Sequence, residues 1–231
     1  QHILATTDFS NNAYNALFYA AQLFRNKECT FYILNTYEEH TPLTSKRIPA
    51  GKGDALLQQL SDESEEGLKT TVHKIVLDNG NTNHMFNTIS AKGDLVEVIS
   101  KTVERNMVDL VVMGNTGTTA AKAIFAVKTI KAMKLCPLLI VPSEIDFGPV
   151  KKIAFVTDYK RSFNLKVISP LLFMASLFSA SVRIFRALES ESLDETQKSN
   201  RDILRQYLDP VDHKVDQMPD FSSKIKTINN F

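Results

Sequence analysis

The residues best placed to do chemistry are Gly114 and Gly117, the ends of a Gly-x-x-Gly turn that closes the run Asp109-Leu110-Val111-Val112-Met113. Paired glycines let a backbone approach a pyrophosphate with no Cβ in the way, and they tolerate positive φ. The apolar run reads as a buried parallel strand, and the alanine-rich stretch after it as a helix. In α/β sheets, phosphates bind at the carboxyl ends of strands and at helix amino termini. A tight strand-to-helix turn with no ligand has the same sequence, so the run names no reaction by itself. Asp8, which follows the apolar run His2 to Thr7, is the second residue of this kind. Its carboxylate suits a ribose hydroxyl, or a helix amino terminus, and the two roles are compatible.

Other chemistries find little support. The five histidines (His2, His40, His73, His84, His213) are scattered, and none pairs with a cysteine or carboxylate at metal-ligand spacing. Cys29 and Cys136 sit beside apolar runs and read as small buried thiols in a reducing cytosol. Neither a Walker-type phosphate loop nor a Gly-x-Ser-x-Gly elbow occurs. A formal net charge of +1 argues against a dedicated nucleic-acid binder, and Lys122, Lys128, Lys131 and Lys134 read as the wet side of a helix. No apolar stretch is long enough to span a membrane and no signal peptide is present, so a cytoplasmic protein is expected. With 43% hydrophobic and 23% charged residues, the 231-residue chain has room for one large or two ordinary domains.

Alternating strands and helices must position these residues. After His2 to Thr7 comes a helix capped by Ser10, with Ala13, Leu17, Ala20, Ala21 and Phe24 on one face. Thr30 to Tyr37 reads as the second strand, and Glu38 to Lys52 as a polar connection. Asp54 to Lys69 reads as a helix, Val72 to Leu77 as the third strand, and Asp94 to Arg105 as the next helix. Asp109 to Met113 is the fourth strand, Ala120 to Leu135 a helix, and Leu138 to Val141 the fifth strand. Five strands interleaved with four helices predict an α/β fold with an open, doubly wound parallel sheet, helices on both faces and right-handed crossovers.

After Pro142 the pattern restarts. Lys152 to Tyr159 echoes Ile3 to Phe9, sharing Thr-Asp-aromatic at an offset of 150 residues, which marks a tandem duplication of a whole domain. A helix with Leu171, Leu172, Ala175 and Phe178 and a strand at Val182 to Ala187 follow. Helices near Leu193 to Leu208 and Ser222 to Phe231 bracket a strand near Lys214 to Met218. No counterpart of DLVVMGNTG or LLIVP comes after them. Domains are therefore expected at 1–143 and 151–231, the second incomplete. A sheet ending there would leave its first strand's edge uncovered, which soluble domains avoid, so either the chain is truncated or another surface covers that edge; the reading favours truncation.

ILATTDFS at the start, DLVVMGNTG in the middle, CPLLIVP at the close and the restarted VTDY together resemble a tandem member of the universal stress protein family. The resemblance implies a five-stranded parallel sheet ordered 3-2-1-4-5 and dimerisation through the last strands, in a homo-oligomer or between the two domains of one chain. It also implies an ATP site built from Gly-x-x-Gly, nine residues, then Gly-Ser or Gly-Thr. Matched residue by residue, Asp8 lies near the adenosine ribose with Thr7 before it, and Thr36, after the second strand, lies against adenine. Met113, Gly114 and Gly117 open the phosphate motif.

The motif then departs from the family's. Val127-Lys128 stands where the glycine and hydroxyl residue belong. A missing glycine–serine loop and a true deletion both account for this. The expectation is a stress-response protein that binds ATP in its first domain without efficient turnover. The alternative is a module that dimerises and docks partners without nucleotide. An enzyme of the wider adenine-nucleotide hydrolase-like group needs a base or metal ligands near Gly114, and the sequence offers none beyond Asp8.

Overall fold

The computed structural model describes residues 1–38, 53–80, 83–115, 136–143, 145–186 and 192–217. The chain forms two compact units, Gln1–Phe147 and Gly148–Phe231. In the first, strands β1 (His2–Thr6), β2 (Cys29–Tyr37), β3 (His84–Lys92), β4 (Leu110–Gly114) and β5 (Leu138–Val141) form one sheet, with helices α1 (Asn11–Leu23), α2 (Asp54–Asn79) and α3 (Leu95–Asn106). The order is β3-β2-β1-β4-β5 and every pairing is parallel. This is the expected sheet.

Strand pleat sorts the core into two faces. Leu4, Leu34 and Val111 meet Ile99 and Val103 of α3, with Val108 and Cys136, on one side. Ile3, Ala5, Phe31 and Ile33, the alternate residues, are fully buried and face the other way, where α1 lies along β4 and α2 along β2 and β3. α1 lines its inner face with Ala13, Ala16, Ala20 and Ala21, small side chains that let the helix approach the sheet closely. Ser10 caps it as expected, its side chain accepting from Ala13 N–H at 3.2 Å. Asp94 caps α3 by accepting from Val96 and Glu97.

One expected strand is wrong. Val72 to Leu77 belongs to α2, which runs on to Asn79 and ends at left-handed Gly80 (φ 56°). The buried residues Leu60, Ser64, Leu68 and Ile75 are spaced by four, four and seven, a helical stripe, while Val76 and Leu77 are 52% and 67% exposed. The third strand is instead β3. Among the described residues it pairs with β2 only, at the sheet edge, and Asn87, Thr88 and Ser90 break up its apolar pattern. The expected helix Ala120 to Leu135 lies outside the described residues.

The second unit contains β6 (Lys152–Thr157), α4 (Leu165–Phe178), β7 (Ser181–Arg186), α5 (Glu195–Leu208) and β8 (His213–Gln217). Its three-stranded sheet is parallel and ordered β6-β7-β8. Tyr159, Ile168, Ala175, Val182, Ile184, Leu204 and Leu208 form its core. Asp194 and Gln197 close a reciprocal capping box on α5. Ala187, Met218 and the expected helix Ser222 to Phe231 lie outside the described residues.

His84, buried where β3 begins, carries a pH dependence. Its Nε2 lies 3.1 Å from Phe24 O and its Nδ1 3.1 Å from Asn79 Nδ2. These partners fit the neutral ring with Nε2–H donating and Nδ1 accepting. Burial lowers its pKa below the usual imidazole value, against the opposing pull of backbone hydrogen bonds. The unfolded chain takes up this proton first on acidification, so the stabilisation present above about pH 6.5 is lost as pH falls toward the lower folded value. Urea midpoints measured from pH 7 to pH 5 should therefore fall, and less steeply in His84→Gln; equal slopes would remove His84 as the cause.

Candidate functional site

Sheet order reverses between β1 and β4, and in parallel α/β sheets such a switch point marks a crevice at the carboxyl ends of the strands. The loop from β1 to α1 forms its floor. Thr7 Oγ1 accepts from Phe9 N–H at 2.9 Å, and Asp8 Oδ1 accepts from Ser10 N–H at 3.1 Å and from the Ser10 hydroxyl. These two small turns place Phe9 in left-handed backbone (φ 63°). Asp8 is exposed, and its Oδ2 makes no hydrogen bond among the described residues. Thr7 is held on both sides of its peptide group: its N–H donates to Leu34 O at 2.8 Å, and its carbonyl accepts from Asn35 Nδ2 at 2.7 Å.

The second unit repeats this loop. Thr157 Oγ1 accepts from Tyr159 N–H at 3.0 Å, Asp158 Oδ1 accepts from Lys160 N–H at 2.9 Å, and Tyr159 has φ 59°. α5 secures it from the side, Gln197 Nε2 donating to Asp158 O and Asn200 Nδ2 to Tyr159 O.

β4 brings Met113 and Gly114, both buried, to the other wall of the crevice, paired with Ile140 and Val141. Gly114 has a reason to be glycine that involves no ligand. A Cβ there would lie 2.9 Å from the Asn12 carbonyl oxygen and 3.0 Å from Asn12 Nδ2. The Asn12 side chain in turn donates from Nδ2 to Asn115 O, tying the first turn of α1 to the end of β4. Asn12 Oδ1 is buried and has no hydrogen-bond partner among the described residues. Thr7, Asp8, Met113 and Gly114 thus meet at the switch point. Thr36 lies in the next strand, half-buried and paired with Ala91, inside β2 rather than after it. Gly117, Val127 and Lys128 lie outside the described residues.

Asn12 and Asn35 escaped the sequence reading. Asn35 could have been found as the polar residue inside TFYILNTY. Asn12 has no signal, because its partner lies 103 residues away.

Beside the crevice, between α1 and α2, lies a cleft of about 390 Å³ lined by Thr7, Phe9, Tyr14, Gly67, Thr70 and Lys74. Gly67 lets the Phe9 ring rest on α2, since a Cβ there would come within 2.6 Å of that ring. Lys74 Nζ sits 3.8 Å from the centroid of the Tyr14 ring, whose hydroxyl donates to Asp78. Burial, with the Asp78 carboxylate, raises the Tyr14 pKa well above the usual phenol value, so Tyr14 is no base. Burial likewise pushes the Cys136 thiol up to about 11 and raises that of Cys29, which keeps both as thiols. Among the described residues no group of three His, Cys, Asp or Glu could hold a metal, and no helix is long and apolar enough to cross a membrane. The described site offers hydrogen-bond donors and acceptors, with the Ser10 hydroxyl held by the Asp8 carboxylate.

The family model described as "Universal stress protein family" matches residues 1–142. Among solved structures, a universal stress protein from Archaeoglobus fulgidus DSM 4304 is 16% identical, with 99% of this chain and 82% of that one covered and a TM-score of 0.68. A universal stress protein in complex with cAMP is 20% identical, with 62% of this chain and 98% of that one covered and a TM-score of 0.45. A universal stress protein family protein from Arabidopsis thaliana with AMP bound is 15% identical, with 63% and 94% covered and a TM-score of 0.39. Identities this low speak for fold alone. None of the curated proteins matches the chain.

The Gly114–Asn12 approach yields a stability prediction. Gly114→Ala should cost roughly 1–3 kcal/mol, as overpacking against backbone does, while Asn115→Ala, which keeps the Asn115 carbonyl, should cost far less. Urea denaturation of both variants checks this; an unchanged midpoint for Gly114→Ala would show that α1 and β4 part easily.

Proposed function

Because the chain belongs to the universal stress protein family, we propose that its first unit binds an adenine nucleotide, ATP, and does not turn it over efficiently. The observation that carries the reading is the meeting of Thr7, Asp8 and Gly114 at the switch point, where the Oδ2 of exposed Asp8 has no hydrogen-bond donor among the described residues. A carboxylate oxygen of this kind suits ribose hydroxyls, which are donors. In this reading Thr36 lies against the adenine, and Met113, Gly114 and Gly117 hold the proximal phosphates together with the amino terminus of α1. Asn12 fixes the end of β4 against α1 so that these groups keep their places.

Turnover needs a general base or a metal beside the terminal phosphate; among the described residues no group of three His, Cys, Asp or Glu could hold a metal, and this reading assigns Asp8 to the ribose. We read residues 1–143 as one family domain and 151–231 as belonging to a second, supported by the repeated Thr-Asp-aromatic loop. A cytoplasmic location, with a homo-oligomer or pairing of the two domains within the chain, belongs to the same reading. Neither nucleic acid nor a membrane is among the proposed partners.

A second reading is favoured by Val127-Lys128 in place of the glycine–hydroxyl pair. Without those donors the distal phosphates lose their partners, and the fold serves as a dimerisation and docking module. Calorimetric titration with ATP separates the two. The nucleotide reading expects saturable binding that weakens about ten- to a hundredfold in Asp8→Ala, the loss of one charge-assisted hydrogen bond. Asp158→Ala should leave it unchanged. An absence of heat for ATP, AMP and cAMP alike, with the protein folded, leaves the docking module.

A further inference from the structure

β3 closes the first unit's sheet at one edge and has no second neighbour among the described residues. Cys29 N–H donates to Asn83 O and Gly93 N–H to Tyr37 O, so the odd-numbered residues of this stretch bond to β2. Bonding alternates along a parallel strand, which turns the N–H and C=O of Phe86, Thr88 and Ser90 to the open edge. Nothing along that edge discourages pairing. All nine residues, His84 to Lys92, stay in register with Cys29 to Tyr37 without a bulge. From Met85 to Ala91 there is neither a proline nor a charged side chain. Soluble proteins guard edge strands with such devices or keep them short, as β5 at the opposite edge is with four residues.

The side chains suit a copy of the same strand. A copy related by a two-fold axis, the commonest closed symmetry, runs antiparallel and has to match itself. With the axis at Thr88 the strands overlap along their whole length, and hydrogen-bonded pairs fall at Phe86, Thr88 and Ser90. Exposed Thr88 then meets Thr88 of the second copy, and Phe86 meets its Ser90. Threonine pairs of this kind stabilise antiparallel strands. On the other face Met85, 62% exposed, meets Ala91 of the second copy, and Asn87 meets its Ile89. No like charges come together from Met85 to Ala91. The edge is about 30 Å long and one sheet deep, which buries less than the ~1,200 Å² of a standard interface. The pairing is therefore weak and reversible.

We propose that two copies of this chain pair edge to edge through β3, antiparallel about Thr88, joining their five-stranded sheets into one. This surface lies at the opposite edge from β5 and shares no residue with the crevice, so it stands whether or not a nucleotide binds.

Disulfide crosslinking of the full chain tests this. In a hydrogen-bonded antiparallel pair the Cα atoms lie about 5.5 Å apart, within reach of a disulfide. Under mild oxidation Thr88→Cys should therefore give a covalent dimer roughly tenfold faster than Met107→Cys, an exposed control away from β3. Cys29 and Cys136 are buried and do not compete. Thr88→Pro removes an N–H that faces away from β2, so the sheet stands while both hydrogen bonds at the axis are lost. Sedimentation over rising concentration should show the native chain associating and this variant about tenfold weaker. Should it fail to fold, Thr88→Lys, which opposes two ammonium groups on the axis, should weaken association about fivefold. Equal crosslinking rates for the two cysteine variants overturn the proposal. So does a native chain that stays monomeric at millimolar concentration, or an association that the Thr88 substitutions leave unchanged, as contact through the last strands would be.

Discussion

Everything in the first unit depends on β1 being hydrogen-bonded along both of its edges. Its odd-numbered residues serve β2 and its even-numbered ones β4, both in parallel. Parallel neighbours require crossovers, and the right-handed rule sends α1 and α2 to one face and α3 to the other. The order therefore reverses at β1 and β4, and their carboxyl ends form the switch point. Thr7, Asp8 and Gly114 belong to it because of where their strands end. In the second unit the corresponding strand β6 pairs with β7 among the described residues.

The Thr-Asp-aromatic signature has a structural task in both units before any ligand is considered. A bulky residue at positive φ costs on the order of 1–3 kcal/mol, and Phe9 and Tyr159 both adopt it. In each case the threonine and aspartate side chains accept the next backbone N–H groups and hold the strained turn. Burial of the ring offsets the strain: Phe9 lies on Gly67, and Tyr159 is 1% exposed within its core. The signature repeats because the turn repeats. Only the exposed carboxylate oxygen is left over for binding.

What the sequence revealed and what it hid follow from this geometry. Buried central strands announce themselves, since Ile3-Leu4-Ala5 and Leu110-Val111-Val112 are covered on both faces and must be apolar. The edge strand β3 has one neighbour and half its residues in water, so its sequence is mixed and the apolar positions Val72, Ile75 and Val76 of α2 drew the assignment instead. Caps were legible because Ser10 acts within its own helix turn. Asn12 was not, since its contact with Asn115 joins distant parts of the chain and exists only once the sheet has formed. Asn35 is intermediate: its polarity inside an apolar strand was visible, but its partner, the Thr7 carbonyl, was not.

Gly114 shows why a motif read from sequence and a motif read from structure answer different questions. Its lack of a Cβ is fully accounted for by the Asn12 carbonyl 2.9 Å from the position a Cβ would take. Packing and binding are not rivals here. The first turn of α1 carries unpaired N–H groups and the positive end of the helix dipole. It can lie against the end of β4 only if residue 114 has no side chain. The close approach that demands glycine is therefore the same one that brings a helix amino terminus to the switch point. Selection for either property preserves the other, and binding measurements have to separate them because the residue type cannot.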